Sequence, residues 1–308
     1  MPITLRANCI GSLAAQVLSR TSAEVVGQVL NTFPNSFYLK TPDDQLIFVT
    51  NRTLQSPITI NLEWSPSLES AVKPLDQFLV YGKGIQTREV SIDISDASSY
   101  HSQPWRAKQL SPDSDRIGAA TRIVSFILGI IDTSQSVLDP RGLAHAGVRR
   151  FVNDGILCLR QSNMEKQFER IAIEIVGLGS GFTPSGDDTL GGFLSMYNSL
   201  AQSAARPQIL LDSATLHGRT SWISAKLLDY MQRLILDDQI RRVIHSAAEG
   251  DESTTVIELE SLFPRGHTSG IDISVGEILA LSLVRDIVFE KRETEIVTGA
   301  LGFSSQVV

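Results

Sequence analysis

Ile173-Glu174-Ile175-Val176-Gly177-Leu178-Gly179-Ser180-Gly181-Phe182-Thr183-Pro184-Ser185-Gly186-Asp187-Asp188-Thr189-Leu190-Gly191-Gly192-Phe193 is the stretch that decides how the second half of this chain reads. A largely apolar run reaches Leu178, and six of the sixteen residues 177–192 are glycine. The alternation of Gly177, Gly179 and Gly181 permits positive φ and a close approach to the main chain. Downstream, Leu190, Phe193, Leu194, Tyr197 and Leu200 recur at helical spacing. A glycine-rich loop that feeds a helix N-terminus offers unpaired N–H groups and a positive dipole end, a natural place for an anion. The alternative is a helix–helix corner capped by Ser185 or Asp187, whose glycines serve close packing. The pattern is not a Walker loop, which needs Gly-Lys-Ser/Thr, nor a clean dinucleotide fingerprint.

Outward from this stretch, the C-terminal side reads as helical. Helices are expected over 117–131, 143–158, 164–175, 190–200, 220–236, 238–248, 252–262 and 275–289, with the tail from residue 296 undecided. The N-terminal side reads as mostly β. Strands are expected near 24–30, 36–39, 46–50, 57–62, 78–81 and 88–94, with one short helix at 13–18. Thr41-Pro42-Asp43-Asp44-Gln45 is a hairpin turn signal, and Gly82-Lys83-Gly84 marks a second. Serines and prolines between residues 96 and 115 form a connector. The expected class is therefore α+β. A mostly-β domain over 1–100, a small sheet or barrel, leads through a connector at 101–115 to a mainly helical domain over 116–308.

The 308 residues carry a net charge of −7 without a lysine- or arginine-rich cluster, which argues against nucleic-acid binding. Cys9 and Cys158 are far apart and read as buried thiols, so a reducing compartment is expected. The first residues lack a signal pattern, and no apolar window is long enough to span a bilayer. A cytoplasmic protein without membrane contact is the expectation.

Two further segments share the texture of the glycine loop. His217-Gly218-Arg219-Thr220-Ser221 precedes a helix that Thr220 or Ser221 can cap, and places Arg219 at its positive end, where an anionic ligand would account for it. Arg265-Gly266-His267-Thr268-Ser269-Gly270-Ile271-Asp272 brackets a histidine between glycines, a candidate acid–base group. Asp272 or Ser274 can cap the helix expected from Val275. The five histidines show no ligand spacing, so no metal site is assigned. Asp187 and Asp188 are compatible with one hydrated Mg²⁺, and equally with carboxylates favoured at a helix N-terminus. No Gly-x-Ser-x-Gly elbow is present.

Gly177-Leu178-Gly179-Ser180-Gly181-Phe182-Thr183-Pro184-Ser185-Gly186-Asp187-Asp188 closely resembles the signature of a bacterial family that includes the AllH-like subunit of oxamate carbamoyltransferase. Arg219-Thr220-Ser221 with Ser224, and Gly266 to Asp272 with Gly276, resemble the family's later motifs in the same order. Phe182 stands where leucine is usual and Ile271 where a larger residue is frequent. The resemblance implies participation in converting oxalurate and phosphate to oxamate and carbamoyl phosphate during allantoin use, together with other carbamoyltransferase subunits. A homo-oligomer is a further candidate assembly.

The expected arrangement is a small-molecule site with three walls. Gly179, Ser180, Gly181, Thr183, Ser185, Arg219, Thr220, Ser221, Thr268 and Ser269 are the candidate substrate-binding residues. His267, Asp187, Asp188 and Asp272 are the candidate catalytic ones. Preorganised donors are worth on the order of 3 kcal/mol each where charge develops. The competing expectations are a non-catalytic subunit or ligand-binding module, and a relative recruited to non-carbamoyl chemistry in a biosynthetic pathway.

Overall fold

The computed structural model describes residues 2–20, 25–63, 67–81, 83–101, 105–107, 110, 134 and 136–303. The helix expected over 117–131, most of the connector and the end of the tail lie outside these residues. The chain divides into two compact units, Met1–Gln103 with Ile235–Asp238, and Pro104–Leu234 with Gln239–Val308. Its class is α+β.

The first unit is a closed barrel. Its strands are β1 (Ile3–Gly11), β2 (Val25–Phe33), β3 (Ser36–Lys40), β4 (Leu46–Thr50), β5 (Thr59–Leu62), β6 (Gln77–Tyr81), β7 (Gly84–Gln86), β8 (Val90–Asp93) and β9 (Ser98–Tyr100). The order is β5-β4-β3-β2-β6-β7-β8-β1-β9, and β1 also pairs with β5, which closes the circuit. Residues 3–6 of β1 run parallel to β8 and residues 9–11 parallel to β9, so β9 continues the line that β8 begins. No turn signal leads to an expected strand before residue 24, yet β1 is the strand on which closure depends. Its pattern is nevertheless a strand's: Leu5, Ala7 and Cys9 are buried while Arg6 and Asn8 are exposed. The interior is filled by Phe37, Leu39, Ile47, Val49, Ile60, Phe78, Val90 and Ile92. The Phe37 and Phe78 rings stack with centroids 5.3 Å apart. Both expected hairpins form, Lys40 facing Leu46 and Tyr81 facing Gly84. Two short helices, α1 (Ser12–Arg20) and α2 (Leu68–Ala71), complete this part.

The second unit is helical among its described residues: α3 (Leu143–Arg150), α4 (Glu165–Ala172), α5 (Ser185–Leu200), α6 (Ser213–His217), α7 (Trp222–Gln232), α8 (Asp238–Glu249), α9 (Glu252–Leu262), α10 (Ser269–Phe289) and α11 (Glu293–Ala300). Asp238, where α8 begins, is grouped with the barrel. The helix expected over 143–158 instead ends at Arg150 and continues as a π turn, Phe151–Ile156, and a 3₁₀ turn, Leu157–Arg160. Gly155 lies in the widened turn and packs on Phe151 and Ile171.

Two boundaries matter for function. α5 begins at Ser185, not Leu190, and α10 at Ser269, not Val275. Apolar periodicity starts late because the first turns are rich in Ser, Gly and Asp, of which Ser185, Gly186, Asp187, Asp188, Gly270 and Asp272 are buried. Asp272 is accordingly a residue within α10 and not its cap, which is Thr268. Pro184 caps α5 without a side-chain bond.

Candidate functional site

α5 and α10 are the two central helices of this unit, and their backbones touch. A Cβ on Gly192 would lie 2.1 Å from the carbonyl oxygen of Ile273, and one on Gly276 would lie 2.0 Å from that of Thr189. Only glycine permits such an approach. The reciprocity has a sequence basis that a search for long repeats overlooks. Ser185-Gly186-x-Asp188-x-x-x-Gly192 and Ser269-Gly270-x-Asp272-x-x-x-Gly276 are the same pattern. Each copy begins at the first residue of its helix, so Asp188 and Asp272 occupy equivalent positions in the two first turns.

Consecutive residues on a helix point about 100° apart, since 3.6 residues make a turn. Asp187 and Asp188 therefore reach different neighbours. The Gly177 amide donates to Asp187 Oδ1 at 2.6 Å, while the Thr220 and Ser224 hydroxyls both donate to Oδ2. Asp187 thus ties the glycine loop to the segment leading into α7. The Thr183 hydroxyl donates to Asp188 Oδ2 at 2.8 Å and lies 3.2 Å from the Ser269 hydroxyl, which joins the glycine loop to α10. Asp272 Oδ1 accepts from the Ser136 hydroxyl at 2.6 Å and from the Val137 amide at 2.9 Å. Asp272 Oδ2 is buried, and the Ser185 and Thr268 hydroxyls also act on this carboxyl. Ser136 carries no motif in the sequence, and only the tertiary structure reveals it as a partner.

Burial pushes all three carboxyls upward. For Asp188 the value reaches about 8, raised further by the charge of Asp272 and held back by Ser269, Thr183 and Arg265. Asp187 is raised by burial against the pull of Ser224, Thr220 and Gly177. Asp272 is raised by burial against Ser136 and Val137, with weaker help from Ser185 and Thr268.

The remaining candidates divide by exposure. Gly179, Ser180, Gly181, Arg219, Ser221 and His267 are exposed, Thr183, Thr220, Thr268 and Ser269 half-buried, and Ser185 fully buried. Gly179 and Gly181 have φ of +109° and +110°, so the loop crest is built on conformations other residues rarely adopt. Ser221 caps α7, its hydroxyl accepting from the Ser224 amide at 3.2 Å. The Arg219 backbone abuts Gly177, where a Cβ would lie 2.3 Å from the Arg219 carbonyl oxygen. Among the described residues, no group of three His, Cys, Asp or Glu side chains is placed to hold a metal ion, and no helix is long and apolar enough to cross a membrane.

The chain matches no curated protein and no solved structure. Residues 175–281, which run from the start of the glycine loop through most of α10, match the family model described as oxamate carbamoyltransferase subunit AllH, and this segment is AllH-like.

Proposed function

We propose that the chain is an enzyme subunit acting on a small anionic or carbonyl-bearing molecule, as in the conversion of oxalurate and phosphate to oxamate and carbamoyl phosphate with other carbamoyltransferase subunits. The observation that carries this reading is the pair Asp187 and Asp188. They bind the 219–224 and 268–272 segments to one glycine loop whose crest, Gly179 to Gly181, stays exposed. The segment matching the family model contains all three pieces. In this reading the crest amides and the Thr183 hydroxyl receive the anion, and Arg219 fixes a carboxylate or phosphate. His267 and Asp188 exchange protons, while Asp187, fully engaged by internal donors, positions the loop. Ser185, Thr220, Ser221, Thr268 and Ser269 hold the walls in place.

The test is turnover of oxamate and carbamoyl phosphate by the chain with its partner subunits, comparing the parent with His267→Ala and Asp188→Ala in folded protein. Activity within a few-fold of the parent in both would sink the assignment.

A second reading, a non-catalytic subunit, is favoured by the number of motif glycines spent on packing: Gly192 and Gly276 meet backbone, not open space. It expects the isolated chain to bind neither phosphate nor a carbamoyl compound in calorimetry, and Asp187→Ala to abolish assembly.

A further inference from the structure

Three side chains meet where the glycine loop touches α10. The Thr183 hydroxyl donates to Asp188 Oδ2 at 2.8 Å and lies 3.2 Å from the Ser269 hydroxyl, and Ser269 also bonds the Asp188 carboxyl. A hydroxyl within hydrogen-bond reach of a carboxylate that a third group holds in place is the arrangement of an oxygen nucleophile and its base. Thr183 stands just before Pro184, the N-cap of α5, so its hydroxyl goes to a side chain where a cap would serve the helix. Gly181, with φ of +110°, adjoins it: a Cβ there would lie 3.3 Å from the Thr183 carbonyl oxygen. The exposed crest amides are thus next to the hydroxyl's own residue, where charge would develop during attack. The other hydroxyl–carboxylate bonds are committed to structure. Thr220 and buried Ser224 share Oδ2 of Asp187, whose Oδ1 holds the Gly177 amide, and the Ser136 hydroxyl on Asp272 is buried. Burial raises Asp188 to about 8, with Asp272 and Arg265 as the charged groups acting on it, which suits a base working near neutral pH.

We infer that Thr183 is a nucleophile and Asp188 its general base, so that the glycine loop takes up a carbamoyl group covalently from a ureido-bearing donor. This deepens the carbamoyltransferase reading, on which it rests for the identity of the donor. In the first step Thr183 Oγ1 bonds the ureido carbonyl carbon and its proton passes to Asp188. The carbon–nitrogen bond then breaks as Asp188 hands that proton to the departing nitrogen. Oxamate leaves, and a carbamoyl ester remains on Thr183. In the second step the hydroxyl oxygen of hydrogen phosphate attacks the ester carbonyl. Its proton passes through Asp188 to Thr183 Oγ1 as the ester carbon–oxygen bond breaks, which gives carbamoyl phosphate and restores the hydroxyl. Ser269 is a positioning residue that holds the Asp188 carboxyl from the α10 side.

The test is mass spectrometry of the full chain treated with potassium cyanate, which carbamoylates an activated hydroxyl without any substrate, beside a second sample given oxalurate and no phosphate. With cyanate, a carbamoyl group is expected on Thr183 in preference to the exposed hydroxyls of Ser180 and Ser221. Labelling should be about a hundredfold slower in Asp188→Asn, the lower end of what a positioned base contributes. Absence of the group from Thr183 in the parent protein would overturn the inference, as would equal labelling of Ser180 and Ser221, or an unchanged rate in a folded Asp188→Asn. The comparison among hydroxyls of the parent stands even if that variant does not fold. Labelling of Thr183 by cyanate but not by oxalurate would keep the nucleophile and remove the carbamoyltransferase reading.

Discussion

Gly192 and Gly276 each lie against the backbone of the opposite helix, Gly192 on the Ile273 carbonyl and Gly276 on that of Thr189. A methyl group at either position meets main-chain oxygen that cannot rotate away. Gly276→Ala is therefore expected to destabilise the second unit by about 3 kcal/mol, at the upper end of ordinary overpacking. Urea unfolding checks this, and a loss below about 1 kcal/mol would show that the helices separate at little cost. Asp188 and Asp272 sit one turn from Gly192 and Gly276, so the same variant should also disturb the surroundings of both carboxyls.

Asp187 accepts three hydrogen bonds while buried. Asp187→Ala strands the Gly177 amide and two hydroxyls, and a loss of about 3 kcal/mol is expected from unsatisfied buried donors. Hydrogen exchange at the Gly177 amide should accelerate by several orders of magnitude. Unchanged protection there would mean that other contacts hold the loop.

Stability should fall as pH rises from about 4 to about 8. Asp188 has a folded value of about 8 against an ordinary 3.8, so between these limits the folded state binds more protons than the unfolded one. The slope of unfolding free energy with pH is then negative. Asp187 and Asp272 are shifted the same way and add to it. The contribution is fully present below the unfolded value and is lost as pH passes through the folded one. Asp93, Asp212 and Asp251 are lowered and act only at the acid end. Asp188→Asn should flatten the decline in a series of denaturant titrations, and an identical slope in the variant would contradict it.

The order of local elements was legible in the sequence because period and turn chemistry are local. The hairpins at 40–46 and 81–84 follow from Pro, Asp and Gly at turns, and 252–262 forms a helix over the expected residues. The glycine loop, Ser221 as a cap and the closeness of three motif segments were equally accessible, since residue chemistry and family resemblance mark them. What stayed hidden depends on contacts between distant segments. Closure of the barrel needs β1 to find β5, β8 and β9 at once, and no local signal states that. The true starts of α5 and α10 were masked because their first turns are built largely from Ser, Gly and Asp, residues that periodicity reads as loop. Only the packed helices turn Gly192 and Gly276 into a contact. Only the packed helices bury Asp188 and Asp272, for burial is a property of the tertiary structure and not of either segment.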